Sequence, residues 1–219
     1  MAFKGDIGTQ RRAAWRDSLL VDHAVFRLVW TNFAPVIPGR LYRSNHPTPG
    51  QLAAAKRRFG LTTLINLRGQ RFCGSDALSR DAAARLGLRH VDMAFESRGA
   101  PHRDRILRFH DIFRTIEGPA MMHCKSGADR AGLASGLAVL FDGGTAAQAL
   151  EQLSWRVGHW KSARTGVLDA FFHRFQREAE GRLPFLDWVR TEYDEVALKR
   201  DFVANGLSSF ITDRVLHRE

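Results

Sequence analysis

Cysteine is scarce in this chain, with two residues in 219. Two thiols cannot build a disulfide framework, so a reducing compartment is the expectation. No apolar run approaches the ~20 residues of a membrane span. Met1–Asp6 leads into no apolar signal-peptide core. A cytoplasmic location follows, with peripheral contact at the inner face of the membrane as the alternative. The sequence has no internal repeat, no low-complexity tract, no Walker-type lysine loop and no cluster at metal-ligand spacing, so neither metal nor cofactor is expected. Acidic residues are also in short supply, 23 against 33 basic ones, for a net charge of +10. Lysine contributes only 5 of those 33, leaving 28 arginines. Such a balance favours polyanionic partners. The basic residues are scattered and not interleaved with aromatics, which argues against nucleic acid and for phosphorylated ligands or an anionic membrane surface. A hydrophobic content of 44% and a charged content of 26% are ordinary for a globular chain long enough to bury a sizeable core.

What is present is concentrated in His123-Cys124-Lys125-Ser126-Gly127-Ala128-Asp129-Arg130. Gly118-Pro119 marks a turn, and Ala120-Met121-Met122 reads as a short buried strand that delivers His123 and Cys124 to its end. From Ala131 to Phe141 the chain reads as a buried helix, with Asp129 at its first turn. A loop wrapped onto a helix N-terminus offers backbone N–H groups and positive potential to an anion. Gly127 lets that loop turn, and Arg130 offers a planar bidentate fork. Thiols at helix N-termini beside cations ionise more readily than free ones, and a thiolate at Cys124 is placed to attack phosphorus. His123 reads either as a loop-orienting residue or as a buried hydrogen-bonded histidine.

These residues resemble the cysteine-dependent protein tyrosine phosphatases, most closely the compact dual-specificity type, whose signature is His-Cys, five residues, then Arg. The resemblance extends over about residues 38–180, through Gly39–Pro47 and Leu64–Gly69. It implies Cys124 as nucleophile, Arg130 as phosphate clamp and Lys125, Ser126, Gly127, Ala128 and Asp129 as the rest of the cradle. Two positions depart from the family pattern. Ala131 stands where most members carry Ser or Thr, which leaves slow turnover or a substitute role for Ser126. The loop that usually carries the general acid, Phe95–Pro101, contains no Asp. The candidates are Glu96 in it, Asp92 before it, Asp104 after it, and Asp129 within the cradle, an arrangement similar to myotubularin-type phosphatases. Asp129 also reads as a helix N-terminal acid complementing the dipole.

Along the chain, residues 11–30 read as a helix with Trp15, Leu19, Phe26, Val29 and Trp30 on an apolar face among arginines, packed on the core or lying on an anionic bilayer. Strands are expected at Leu41–Ser44, Leu61–Leu67, Leu88–Phe95 and residues 120–123. Helices are expected at Thr48–Phe59 (capped by Thr48 and Gly60), Asp76–Leu86, 102–117, 130–142, 146–156, 163–179 and 185–203, with a last short helix near Gly206. The alternation predicts an α/β fold, a mainly parallel sheet of four to five strands flanked by helices. The division is an N-terminal helical extension (1–37), a phosphatase domain (38–180) and a C-terminal helical extension (181–219). Sites in such sheets lie at the carboxyl ends of strands, where Arg43, Arg68, Arg98 and Cys124 are expected to converge on one pocket. His159 and Lys161 are able to reach the site, but the sequence does not place them there.

The leading reading is a metal-independent phosphomonoesterase working through phosphocysteine, acting on phosphotyrosine or with dual specificity. Lys125, Asp129, the basic surface and the first helix support a lipid or phosphoinositide phosphatase instead. Ala131 and the missing loop Asp support a phosphate-binding pseudophosphatase, and Cys73 leaves room for thiol redox chemistry.

Overall fold

The computed structural model describes residues 7–20, 30–96, 98–161 and 164–203. In order, the elements are α1 (Ile7–Leu20), β1 (Ala34–Ile37), β2 (Leu41–Ser44), α2 (Pro49–Phe59), β3 (Thr63–Asn66), α3 (Gly74–Arg85) and β4 (Arg89–Asp92). After them come α4 (Arg103–Arg114), β5 (Ala120–His123), α5 (Asp129–Phe141), α6 (Ala146–Glu151), α7 (Val167–Glu178) and α8 (Phe185–Thr191). The expected α/β architecture is present. Five strands run in the order β1-β2-β5-β3-β4, parallel except for β1.

Strand alternation builds two cores, one on each face of the sheet. Leu41, Ile65 and Met122 point into the larger, against α4, α5 and α7, while Tyr42, Leu64 and Met121 point into the smaller, against α2 and α3. Local chemistry sets the helix ends as anticipated. Thr48 caps α2 in a reciprocal box with Gln51, and Gly60 closes it in the left-handed conformation at φ 66°. Buried α5 carries glycines where neighbours press in: a Cβ at Gly136 would lie 2.5 Å from the Phe172 ring.

Three expectations need correction. β1 is a strand inside the segment expected to be a helical extension; its Pro35 is tolerated because β1 is the sheet edge. Residues 185–203 form α8 and a second helical run from 195, broken where buried Tyr193 donates its hydroxyl to the Pro101 carbonyl at 2.7 Å. Val196, expected in the apolar stripe beyond that break, is 72% exposed. The first helix is described as far as Leu20 and lies against α3, where Ser18 and Ser75 share a 2.8 Å hydroxyl bond. Phe26 and Val29 of that helix, and the helix expected near Gly206, lie outside the described residues.

Candidate active site

In-register pairing places Ser44, His123, Asn66 and Asp92 side by side at the carboxyl edge of the sheet. The chain leaves β5 through Cys124–Ala128 and enters α5, so the loop lies over the middle of that edge with the α5 N-terminus beneath it. Cys124 is buried on its floor, and the Gly127 N–H donates to its Sγ at 3.2 Å.

The loop carbonyls are held outward. Lys125 O accepts from the His46 N–H at 3.3 Å, and Ser126 O accepts from Asn32 Nδ2 at 3.1 Å. Gly127 O and Ala128 O accept from Arg43 Nη2 at 2.7 and 3.2 Å. A peptide plane whose carbonyl points out presents its N–H inward, which is what an anion cradle requires. Gly127 adopts φ +78°, and a Cβ there would meet Asn45 N at 2.8 Å and Asn32 Nδ2 at 2.9 Å. Only glycine fits that close approach.

Arg43, expected to touch substrate, is corrected to a scaffold residue. It is 1% exposed, and its other amino group donates to the Gln152 carbonyl at 2.7 Å. Burial lowers its pKa to about 10, so it still carries its charge at neutral pH. Arg68 is tied to His46, whose backbone N–H holds the Lys125 carbonyl of the loop. Its Nη1 donates to His46 Nδ1 at 3.2 Å, and His46 Nε2 in turn donates to the Ser75 carbonyl at 3.0 Å, which fixes the tautomer. Arg130, in the first turn of α5, is half-buried and feels Cys124, Arg68 and Arg71, and burial pulls its pKa down from the ordinary arginine value. Arg71, which sequence reasoning missed, thus adds to the positive field. Arg98 is exposed on the loop after β4, and no hydrogen bond or ion pair among the described residues ties it to the cradle.

His123 is fully buried, with its ring edge-on to His46 at 4.5 Å. Burial, together with His46 and Arg68 nearby, drives its pKa well down and keeps it neutral. Among the described residues neither ring nitrogen has a well-formed hydrogen bond, which corrects both expectations for His123, loop orientation through its ring nitrogens and a hydrogen-bonded buried histidine.

The acid candidates separate clearly. Asp92 accepts two bonds from Arg80, at 2.7 and 2.8 Å, and one from Asn66 Nδ2 at 3.0 Å; those bonds lock it in a sheet-edge network. Glu96 is paired with Arg105 at 2.7 Å, and Asp104 is exposed on α4. Asp129 stands at the cradle, partly exposed, with Oδ1 2.9 Å from His159 Nδ1. Ser126, the suggested substitute for the missing hydroxyl at 131, accepts the Ala128 N–H at 3.3 Å.

His159 arrives from a turn docked on the loop. Asn32 Nδ2 also donates to the Val157 carbonyl at 2.9 Å, so one amide ties the cradle to the 155–158 turn. Gly158 adopts φ +81°, and a Cβ added there would lie 3.8 Å from Ala128 Cβ. Asn32 and His159 are far from the motif in sequence, and proximity in the fold is the signal that reveals them.

No protein-family model matches the chain, and no curated protein matches it by sequence. Solved structures share its fold. The crystal structure of P. aeruginosa TpbA superposes with a TM-score of 0.56 at 19% identity, over 72% of this chain and 91% of TpbA. A cysteine-to-serine variant of TpbA in complex with pTyr gives 0.55 at 20% identity, over 73% and 88%. PTPMT1 superposes at 0.50 with 12% identity, over 68% of this chain and 99% of PTPMT1.

Proposed function

We propose that this protein is a cysteine-dependent phosphatase that hydrolyses phosphomonoesters through a phosphocysteine intermediate, with protein phosphotyrosine as its favoured substrate class. The observation that carries the reading is the loop at 124–128: a buried thiol on the floor, carbonyls turned out, and Arg130 beside it in a positive field to which Arg68 and Arg71 add. The dianion sits among the loop N–H groups, and Cys124 attacks phosphorus in line with the ester oxygen. Arg130 follows the equatorial oxygens into the transition state with its planar fork, where such contacts lower the barrier most. Asp129 protonates the departing oxygen and later takes a proton from the attacking water. TpbA, which has the same fold, has been captured with pTyr, which favours an aryl phosphate as the first substrate to try.

The test is phosphate release from a phosphotyrosine peptide by wild type and Cys124→Ser. Wild-type turnover that vanadate inhibits, that a chelator leaves intact and that Cys124→Ser abolishes supports the proposal. Activity that survives Cys124→Ser, or that the chelator removes, overturns it. Binding of phosphate without turnover on any ester would make the chain a pseudophosphatase.

A second reading, a lipid phosphate at an anionic membrane surface, is favoured by exposed Phe72 and Trp160 beside Arg71 and Lys161, close in sequence to site residues. Aromatic rings next to cations suit a headgroup interface. Faster hydrolysis of a phosphatidyl phosphate in anionic vesicles than of the phosphopeptide would favour it. Equal or slower rates would leave the peptide reading in place.

A further inference from the structure

Resting on the phosphatase reading, we infer that His159 and Asp169 form a proton relay behind Asp129, in which His159 supplies the proton that Asp129 delivers to the leaving group. His159 is fully buried, and both of its ring nitrogens are engaged: Nδ1 lies 2.9 Å from Asp129 Oδ1 and Nε2 lies 2.6 Å from Asp169 Oδ2. A histidine between two carboxylates donates from both nitrogens when protonated. It keeps the Nε2 proton on the carboxylate that faces no substrate when it gives the other away. Asp169 is buried in the first turn of α7, whereas Asp129, in the first turn of α5 directly after the cradle loop, is partly exposed. The buried partner therefore fixes the tautomer, and the exposed one passes the proton on.

The charged groups around His159 come from several elements. Asp129 and Arg130 lie on α5, and Asp169 on α7. Lys161 stands 3.8 Å from Asp169 Oδ1, and Glu151 of α6 lines the same cavity as His159. Burial disfavours the charge on His159, but its hydrogen bonds to Asp129 and Asp169 outweigh that penalty and raise its pKa to about 9. The proton is thus in place throughout the neutral range.

The steps balance. In the first, the S–P bond forms and the P–O bond breaks. The departing oxygen takes a proton from Asp129, which takes the Nδ1 proton of His159, leaving neutral imidazole with its Nε2–H on Asp169. In the second, water attacks phosphocysteine, the P–S bond breaks and Cys124 leaves as thiolate. The water proton returns through Asp129 to His159 Nδ1. His159 and Asp169 touch no substrate and act through Asp129, so they are positioning residues.

The test is the pH dependence of kcat on phenyl phosphate, a poor leaving group, and on p-nitrophenyl phosphate, an activated one, for wild type, His159→Gln and Asp169→Asn. The relay predicts a wild-type basic limb near pH 9 on phenyl phosphate. His159→Gln should lose about 100-fold on phenyl phosphate and far less on the activated ester, as loss of general-acid assistance does. Asp169→Asn should move the basic limb down by roughly one pH unit or more, because the neutral amide no longer favours the imidazolium. On an Asp129→Asn background, His159→Gln should add nothing, since the two act in series. Equal losses of His159→Gln on both esters, with melting temperature and vanadate binding retained, would make His159 merely structural and overturn the relay. If His159→Gln does not fold, an unshifted basic limb in Asp169→Asn overturns it instead. Hydrolysis that survives Cys124→Ser would sink the phosphatase reading itself, a result distinguishable from failure of the relay alone.

Discussion

Gly127→Ala adds one methyl group where the cradle is most tightly tied. Gly127 has φ +78°, and the new Cβ would lie 2.8 Å from Asn45 N, 2.9 Å from Asn32 Nδ2 and 3.0 Å from Asn32 Cβ. The left-handed backbone alone costs an alanine about 1 kcal/mol relative to glycine. The Asn45 peptide cannot swing aside, because its N–H donates to the Thr31 carbonyl at 2.9 Å. Asn32 can retreat only by loosening its bonds to Ser126 O and Val157 O, and one such bond is worth about 1 kcal/mol. With the residual overpacking, the total is roughly 3 kcal/mol, which for a protein of this size lowers Tm by about 6–12 °C. The catalytic loss should be larger than stability implies. The Gly127 N–H that donates to Sγ and the Gly127 carbonyl on Arg43 shift together, and displacements of that order cost about 100-fold in kcat/KM. Calorimetry and p-nitrophenyl phosphate kinetics on the same preparation read both quantities. A variant with wild-type Tm and kcat/KM would refute the claim that the cradle geometry depends on a missing Cβ.

Arg130→Lys keeps the charge but not the fork, and should lower kcat by about 100-fold or more with the fold unchanged, measured on the same ester. Arg43→Met removes buried donors from the carbonyls of Gln152, Gly127 and Ala128 and should destabilise by about 3 kcal/mol while abolishing vanadate binding, read by urea titration with and without vanadate. The pKa of His159 is raised on folding from 6.5 to about 9, so its contribution is fully present below pH 6.5 and is lost as pH rises through 9. The urea midpoint of wild type should therefore fall between pH 7 and pH 9.5, and His159→Gln should flatten that slope; parallel slopes would show that another group is responsible.

The strand-loop-helix around Cys124 was legible in the sequence because all of its chemistry is local: a turn at Gly118-Pro119, an apolar run, a glycine and an arginine at the helix start. Capping residues were legible for the same reason, as Thr48 and Gly60 show at α2. Features made by distant residues were not. Asn32 becomes the strut between loop and turn only after β1 and β2 bring it beside Ser126 and Val157, and nothing local to Asn32 announces that. His159 is set against Asp129 by the same docking. Arg43 was misjudged because the end of a strand locates a side chain without giving its direction. Its parity with Leu41 was the available clue, since both belong to the face that packs on the larger core. β1 was hidden by Pro35, which a central strand could not hold and an edge strand can.

The central claim, that Cys124 carries the phosphoryl group, is most directly tested by acid-quenching the enzyme during turnover of p-nitrophenyl phosphate and mapping the peptides by mass spectrometry. The account predicts that the peptide containing Cys124 gains the mass of one phosphoryl group in wild type, and that the adduct accumulates further in Asp129→Asn, where water attack is unassisted. Turnover with no phosphoryl adduct on Cys124 in either protein, or an adduct on another residue, would contradict it.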